Sequence, residues 1–358
     1  MPRVFIDLTH VGRHVTGIER VAIEQFEKVR FDGAELAMIR ARGVVSMIFK
    51  QQILLPLLAL LYPRAQFAFP GFPPSPFFAL IPGRTILYVH DTFLLTRQSD
   101  LSMKARLYMA PQFAIAVRRL KRFFVNSEKT AGELAEHVRP EAHILLYRPA
   151  VKNHFGLDPS ERFQRSAKPA PLKIVSMGTV EPRKNYSAAL AILDEIRMRF
   201  DSSAELHIIG RAGWGNEGAA IADHPGVTLH GYLTAADAKA TLEAADIYLC
   251  TSHDEGLGLP LLEAQFSGLP VVAPDQPVFR EVLAESGTFI RTDNPAESAN
   301  IIRMLISGSQ WRQRCAKGST RNVARWNDMA QRDLCSVRTI FAKPRDRRIA
   351  NTAVEGQA

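Results

Sequence analysis

Short apolar runs separated by helix-like segments recur along the whole chain, and this alternation constrains the fold more than any other feature. Val4–Leu8, Glu35–Ile39, Thr85–Val89, Arg122–Asn126 and His143–Leu146 read as strands in the first half. Lys173–Met177, Ala204–Ile209, Val227–Leu229, Asp246–Cys250 and Pro270–Ala273 read as strands in the second. Most of these runs are continuously apolar rather than alternating, which is the pattern of strands buried on both faces of a parallel sheet. Segments such as Ile18–Lys28, Tyr186–Arg199 and Ala235–Ala244 supply the right-handed crossovers that such sheets need. A chain of 358 residues has room for two such domains. The expected class is therefore α/β, with two doubly wound, Rossmann-like domains. Residues 1–157 form the first and residues 173–325 the second. The charged, Pro- and Ser-containing stretch 158–172 joins them. Residues 326–342, with Trp326, Leu334, Val337 and Phe341, form a helix, and the tail 343–358 is expected to be disordered.

Composition narrows the class further. Hydrophobic residues at 46% with 23% charged residues are those of a folded globular chain. No run of about 18 uninterrupted apolar residues occurs, so no membrane-spanning segment is expected. Asp7 breaks the apolar start of the chain, which argues against a secretory signal. Cys250, Cys315 and Cys335 lack metal-ligand spacing and fit a reduced cytosolic setting. The formal charge of +9 lies entirely in the first half. Residues 1–155 carry 21 Lys and Arg against 12 Asp and Glu, and the rest of the chain carries 24 of each. A basic half-molecule implies an anionic partner: nucleic acid, a membrane surface or a phosphorylated substrate. Within that half, Gly43–Arg84 is unusual. Its centre, Ile53–Tyr62, is apolar on all sides and suits either a core helix packed against the sheet, the slightly favoured reading, or an interfacial segment; Phe67–Pro82 carries five Phe and five Pro and is expected to be an irregular loop.

Two segments carry chemistry. Thr251–Glu263 (TSHDEGLGLPLLE) follows an apolar strand and opens a helix. Gly256 and Gly258 allow close backbone approach to a ligand, and Pro260 suits a first helical turn. The N–H groups of that turn, Gly258 and Leu259 first, favour an anion. Glu255 and Glu263 flank the turn at the carboxyl end of a strand, where ligands of open α/β sheets bind. The second segment, Gly178–Asn185 (GTVEPRKN), also joins strand to helix, and Arg183 and Lys184 offer two adjacent cations suited to a diphosphate. A solvated helix face is the plain alternative for these cations. Asp-x-Asp is absent from the chain, so no metal site is expected, and no Gly-x-Gly-x-x-Gly follows Val4–Leu8, which argues against a dinucleotide oxidoreductase.

Taken together, these segments resemble family 4 (group 1) retaining glycosyltransferases of the GT-B fold. Glu255 and Glu263 match the family's Glu-x7-Glu spacing, and Glu263–Val272 matches its "EA-x-x-x-G-x-PVV" continuation. Gly178–Asn185 is similar to a "GT-x-EPRKN" variant frequent among mannosyltransferases of bacterial polysaccharide assembly. In the first half, Asp7 with Thr16–Arg20 resembles the glycine loop, Val89–Asp91 the His-Asp strand end, and Val125–Glu128 a strand–helix junction. Gly43–Arg84 matches no family pattern.

The resemblance implies a first domain that binds an acceptor and a second that binds a nucleotide sugar, facing each other across a cleft, with the last helix crossing back. It implies transfer of a hexose from a nucleotide diphosphate sugar with retention and without metal or cofactor. Arg183, Lys184 and the Gly258–Leu259 N–H groups would stabilise the leaving diphosphate. Glu263 would hold the ribose, Glu255 the donor sugar, and His90 would face that sugar from the first domain. Gly17 and Gly178 would let backbone approach the phosphates. Arg211 and Tyr232, which follow strand ends, are equally open between flanking the base and a plain surface role. Asp91 is open between acceptor contact and loop capping. GDP-mannose is the favoured donor, and a lipid-diphosphate-linked saccharide the expected acceptor. The basic, apolar first half leads us to expect a cytoplasmic enzyme held at the inner membrane face, touching anionic lipid through residues 53–62 and 104–122. No nucleic-acid partner is expected, because the basic residues form no recognised motif. A GT-B protein without transfer activity, such as a nucleotide-sugar epimerase or a regulatory subunit, is the alternative, and a nucleic-acid-binding protein a more distant one.

Overall fold

The strands fall into two six-stranded sheets, and every strand pairing is parallel. The structure is a computed structural model describing residues 1–12, 17–103, 105–163, 171–214, 218, 221 and 223–342. The first sheet contains β1 (Arg3–Leu8), β2 (Glu35–Arg40), β3 (Gln66–Phe69), β4 (Thr85–Val89), β5 (Arg122–Val125) and β6 (His143–Leu146), in the order β2-β1-β3-β4-β5-β6. The second contains β7 (Lys173–Met177), β8 (Glu205–Ile209), β9 (Val227–Gly231), β10 (Ile247–Leu249), β11 (Val271–Pro274) and β12 (Gly287–Ile290), in the order β12-β11-β10-β7-β8-β9. In each sheet the order reverses direction at one place, β1/β3 in the first and β7/β10 in the second. Diverging crossovers open a crevice at such a switch point, beyond the carboxyl ends of the two strands.

Two compact units contain these sheets. One comprises Met1–Ala150 together with the chain from Asp328 onward, and the other comprises Val151–Asn327. The second core gathers Ile174, Leu193, Leu206, Ile247 and Val272, all at most 1% exposed. The first is more aromatic. Phe5 stacks on Phe67 at 5.3 Å, and Phe67 and Phe69 both meet Phe78, at 5.1 and 4.8 Å.

Three expectations need correction. Phe67–Pro82 is not simply an irregular loop: Phe67–Phe69 belongs to β3, a central strand between β1 and β4, and Phe67, Phe69 and Phe78 are fully buried. Its prolines lie after the strand, where they take no ladder hydrogen bond away. The stretch expected as a linker is partly packed. Arg162, in the turn of helix Ser160–Phe163, is buried and donates to the backbone oxygens of Ser267, Ala245 and Leu242 at 2.8, 2.6 and 3.1 Å. Three carbonyl partners let a guanidinium stay charged inside the protein. The last helix, expected from residue 326, runs from Trp311 to Val337, about 40 Å at 1.5 Å per residue. The division between the units falls within it, after Asn327. Trp326 is fully buried in the second unit. In the first unit, Asp333 takes both Nη1 and the backbone N–H of Arg148 at 3.0–3.2 Å, and Phe341 meets Phe31 edge-on at 5.0 Å. The tail 343–358 lies outside the described residues.

The apolar run Ile53–Tyr62 belongs to a longer helix, Val44–Leu61, whose middle turn Lys50–Leu54 is widened to i→i+5 bonding. By length and composition this helix could cross a membrane, contrary to expectation. Uninterrupted apolarity was too strict a criterion, because Lys50, Gln51 and Gln52 interrupt the run without ending the helix. As folded it is buried on one side only: Met47, Gln51, Leu55 and Ala59, one turn apart each, are buried.

Candidate active site

In the second unit the site assembles at the β7/β10 switch point. Beyond β7 the chain makes a tight turn, Pro182–Lys184, and enters the helix Tyr186–Arg199 through Asn185 in the left-handed conformation, φ 52°. Asn tolerates that region better than most residues. Gly178 has φ 150°, and a Cβ there would lie 2.9 Å from Lys184 Cε. The missing side chain is what allows the Lys184 stem to lie across the strand end. A Cβ on Gly210, at the end of β8, would come within 1.8 Å of the Gly178 carbonyl oxygen. These two glycines therefore let the ends of β7 and β8 touch.

Beyond β10 the chain brings Glu255 to the same place. Glu255 Oε2 lies 2.6 Å from Arg183 Nη1, and Oε1 lies 2.6 Å from Lys184 Nζ and accepts from Ser252 Oγ at 2.8 Å. Arg183 also donates to Glu181 Oε1 at 2.5 Å and to the Asp254 carbonyl at 2.9 Å. Two backbone-directed bonds fix the loops to each other: His253 N–H to the Arg183 carbonyl at 2.8 Å, and Thr251 Oγ1 to the Lys184 carbonyl at 3.1 Å. Burial alone would raise the Glu255 pKa. The charges of Lys184 and Arg183, with the hydrogen bonds from Lys184 and Ser252, overcome that and hold it at about 2. The carboxylate is thus ionised at any working pH. The plain alternative for Arg183 and Lys184, a solvated helix face, does not describe them.

Behind Glu255, Gly258 sits in the left-handed region, φ 88°, and caps the helix Leu259–Ala264 with Pro260 in its first turn. Glu263 lies in that helix and is buried, 5% exposed. A small pocket between the two segments is lined by Lys184, Ser252, Glu255, Gly258, Tyr248 and Met177. Arg211 and Tyr232 follow the neighbouring strands β8 and β9. The Arg211 carbonyl accepts from Val180 N–H at 3.0 Å, which ties it to the same edge. Both side chains are exposed, Tyr232 at 84%, and stand outside the ion-paired cluster.

In the first unit the ends of β1, β3 and β4, beside the β1/β3 switch point, carry a different kind of site. His90, just past β4, shares a hydrogen bond with the Pro70 carbonyl at 2.7 Å through Nε2, and its ring lies 4.6 Å from that of Tyr88. A carbonyl can only accept, so Nε2 bears the proton and Nδ1 is left as an acceptor. Burial lowers the His90 pKa to about 4, against the hydrogen bond to Pro70, so the ring is neutral at pH 7. Asn126 Nδ2 donates to the His90 carbonyl at 2.8 Å, and Ser127 caps the following helix by accepting from Thr130 N–H at 3.1 Å. Asp91 accepts from Phe93 N–H at 3.1 Å, which is loop capping. Gly17 opens the helix Gly17–Ala22, a Cβ added there would meet nothing within 4 Å, and Thr16 lies outside the described residues.

Sequence reasoning did not single out His10, Gln51 or Gly71. Gln51 Nε2 donates to Asp7 Oδ2 at 3.0 Å and to Thr9 Oγ1 at 2.9 Å, and Asp7 also accepts from Thr9 N–H at 2.9 Å. Burial raises the Asp7 pKa. A Cβ on Gly71 would collide with the His10 ring at 2.2 Å. Only Gln51, within the short polar break Lys50–Gln52 of an apolar helix, could have hinted at this cluster.

Set against known proteins, residues 158–322 match the family of glycosyl transferases group 1. The chain is 28% identical over 141 residues to the serotype-specific mannosyltransferase WbdA of Escherichia coli, a match covering 37% of this chain and 17% of that protein. Its fold matches the crystal structure of WaaG, a glycosyltransferase involved in lipopolysaccharide biosynthesis, with TM-score 0.66 and 15% identity over 95% of this chain and 99% of that one. It matches Anabaena HepE in complex with UDP-glucose with TM-score 0.65 and 16% identity over 93% and 99%. The chain therefore has the GT-B fold, and the stretch that matches the group 1 glycosyl transferases lies within its second unit. The chain's match spans about a sixth of WbdA's length.

Proposed function

We propose that the protein is a retaining hexosyltransferase that moves a sugar, mannose by our reading, from a nucleotide diphosphate donor to a lipid-linked saccharide at the cytoplasmic face of a bacterial membrane. The observation that carries this reading is the Arg183–Lys184–Glu255 cluster at the switch point of a group 1 glycosyltransferase domain. Charge grows on the diphosphate as the sugar leaves. Two cations held in place by Glu181 and Glu255 stabilise that charge without reorganising, and the first turn of the helix at Gly258–Leu259 adds backbone N–H groups. The protein's own cations serve where other enzymes use a divalent ion, so turnover survives EDTA. Glu263 binds the ribose, Glu255 orients the donor sugar, and Arg211 and Tyr232 flank the base. In the first unit, neutral His90 offers a hydrogen bond to the sugar rather than a charge. The mannosyl assignment is supported by the Glu181–Asn185 sequence and by the likeness to WbdA; the role in surface polysaccharide assembly, by the likeness to WaaG.

A thermal-shift screen of nucleotide sugars tests the donor. At a fixed ligand concentration, tighter binding raises the melting temperature more, and GDP-mannose should give the largest shift. No shift with any GDP-sugar overturns the donor choice. Transfer that is unchanged in folded Arg183→Ala or Glu263→Ala protein overturns the site.

A further inference from the structure

The helix Val44–Leu61 is two-sided in a way that the sheet alone does not explain. Its buried positions, Met47, Gln51, Leu55 and Ala59, face the first unit's core. Its other side exposes Val44, Val45, Ile48, Phe49, Ile53, Leu57, Leu60 and Leu61, between 39% and 83% accessible. A solvated helix face is normally polar. Beside it runs the helical segment Ala105–Arg119, joined to it by hydrogen bonds from Gln52 Nε2 to Tyr108 Oη at 3.1 Å and to Gln112 Oε1 at 3.2 Å. That segment repeats the pattern: Leu107, Pro111 and Ile115, four residues apart each, are exposed, as is Met103 just before it. Two helices joined through Gln52 thus each present an exposed apolar stripe.

Charge around the stripes identifies the partner. Residues 41–84 and 101–127 contain ten Lys and Arg and not one Asp or Glu. Arg42 and Arg64 flank the first helix, and Arg106, Arg118, Arg119 and Lys121 accompany the second, all exposed. Apolar side chains on segments whose only charges are cationic suit an anionic lipid surface, where Leu, Ile and Phe enter the acyl boundary and Arg and Lys meet phosphates. We infer that this two-helix face is a monotopic docking surface for an anionic bilayer, with Val44–Leu61 lying in the interface rather than spanning it. Spanning would strip Met47, Leu55 and Ala59 from the core. The surface serves the acceptor chemistry proposed above, but the observations that define it are independent of the transfer site.

Vesicle flotation of the full chain tests the assignment. The protein should float with phosphatidylcholine vesicles containing phosphatidylglycerol and detach as salt rises. The variant Leu57→Gln/Leu60→Gln/Leu61→Gln should bind at least about tenfold more weakly, and Arg118→Glu/Arg119→Glu should lose the preference for the anionic lipid. All substituted positions are exposed, and an unchanged melting temperature, with an unchanged shift on adding nucleotide sugar, verifies that each variant is folded and that the donor site is unaffected. Wild-type protein that stays with the soluble fraction, or apolar variants that float as well as wild type, overturns the proposal. A dimer in sedimentation velocity that the leucine variant dissociates, without any vesicle binding, overturns it in favour of a second copy of the chain.

Discussion

The two switch points of this molecule are built alike and equipped differently. At β7/β10, opposite charges are packed together: Arg183 and Lys184 against Glu255 and Glu181. At β1/β3, the polar groups are neutral or driven towards neutrality: His90, Gln51 and Asp7. Net charge runs the other way. The first unit carries 26 Lys and Arg against 16 Asp and Glu, and the second 19 against 20. Total charge is therefore a poor guide to where the charged chemistry sits. The neutral-on-balance unit concentrates a few ions in a desolvated crevice, where each has a large effect, while the basic unit spreads its excess over a surface.

This contrast can be broken by experiment. The largest expected effect is on the charged site. Glu255→Gln keeps the shape but leaves two cations facing a neutral amide, and should lower turnover by at least about a hundredfold. His90→Asn should lower transfer while leaving the nucleotide-sugar thermal shift intact. Equal loss of that shift in both variants would erase the distinction between the sites.

Next in size are packing effects. Phe67→Ala, in the first core, should cost roughly 3–5 kcal/mol in denaturant unfolding. Gly210→Ala must displace the Gly178 carbonyl and should be severely destabilising. Gly17→Ala, in open space, should fold normally, so that any defect it shows in turnover reports the ligand rather than the fold.

The pH dependence separates the two sites in another way. His90 has a folded pKa of about 4, below its unfolded value of about 6.5, so the unfolded chain binds its proton more readily. Its contribution is present above pH 6.5 and is lost as pH falls towards 4. Glu255, at about 2 when folded, contributes above its unfolded value and is lost only as pH falls from about 4.5 towards 2. His90→Asn should flatten the stability profile between pH 4 and 6.5, whereas Glu255→Gln should flatten it below that window. Exchanged windows would mean that the electrostatic assignment is reversed. The smallest effect is expected at Tyr232. Replacing this exposed ring with Ala should change stability by less than about 0.5 kcal/mol, and should raise the donor KM if the ring flanks the base.

Much of this was legible in the chain itself. Ten of the twelve strands were marked by apolar runs, and the donor-site segments by glycines and ions placed at strand ends. β3 was missed because Phe67-Ala68-Phe69 is too short to show a period and leads into a proline-rich turn. β12 was missed because Gly287–Ile290 is an edge strand of four residues, only one of them fully buried. Glu255 and Glu263 were found by their spacing, but the spacing did not show that Glu255 pairs with Arg183 and Lys184, 71 residues away in the case of Lys184. The Asp7–Gln51 bond spans 44 residues, with nothing local to announce it.

The sequence by itself determined the α/β alternation, the two Rossmann-like sheets and the residues of the donor-site segments. These depend on local backbone preference and burial, which neighbouring residues largely set. Only the tertiary structure decided which charges meet, which side of Val44–Leu61 is left uncovered, and that His90 is neutral. Each of those depends on what a side chain is packed against, and desolvation and ion pairing have no short-range signature in the chain.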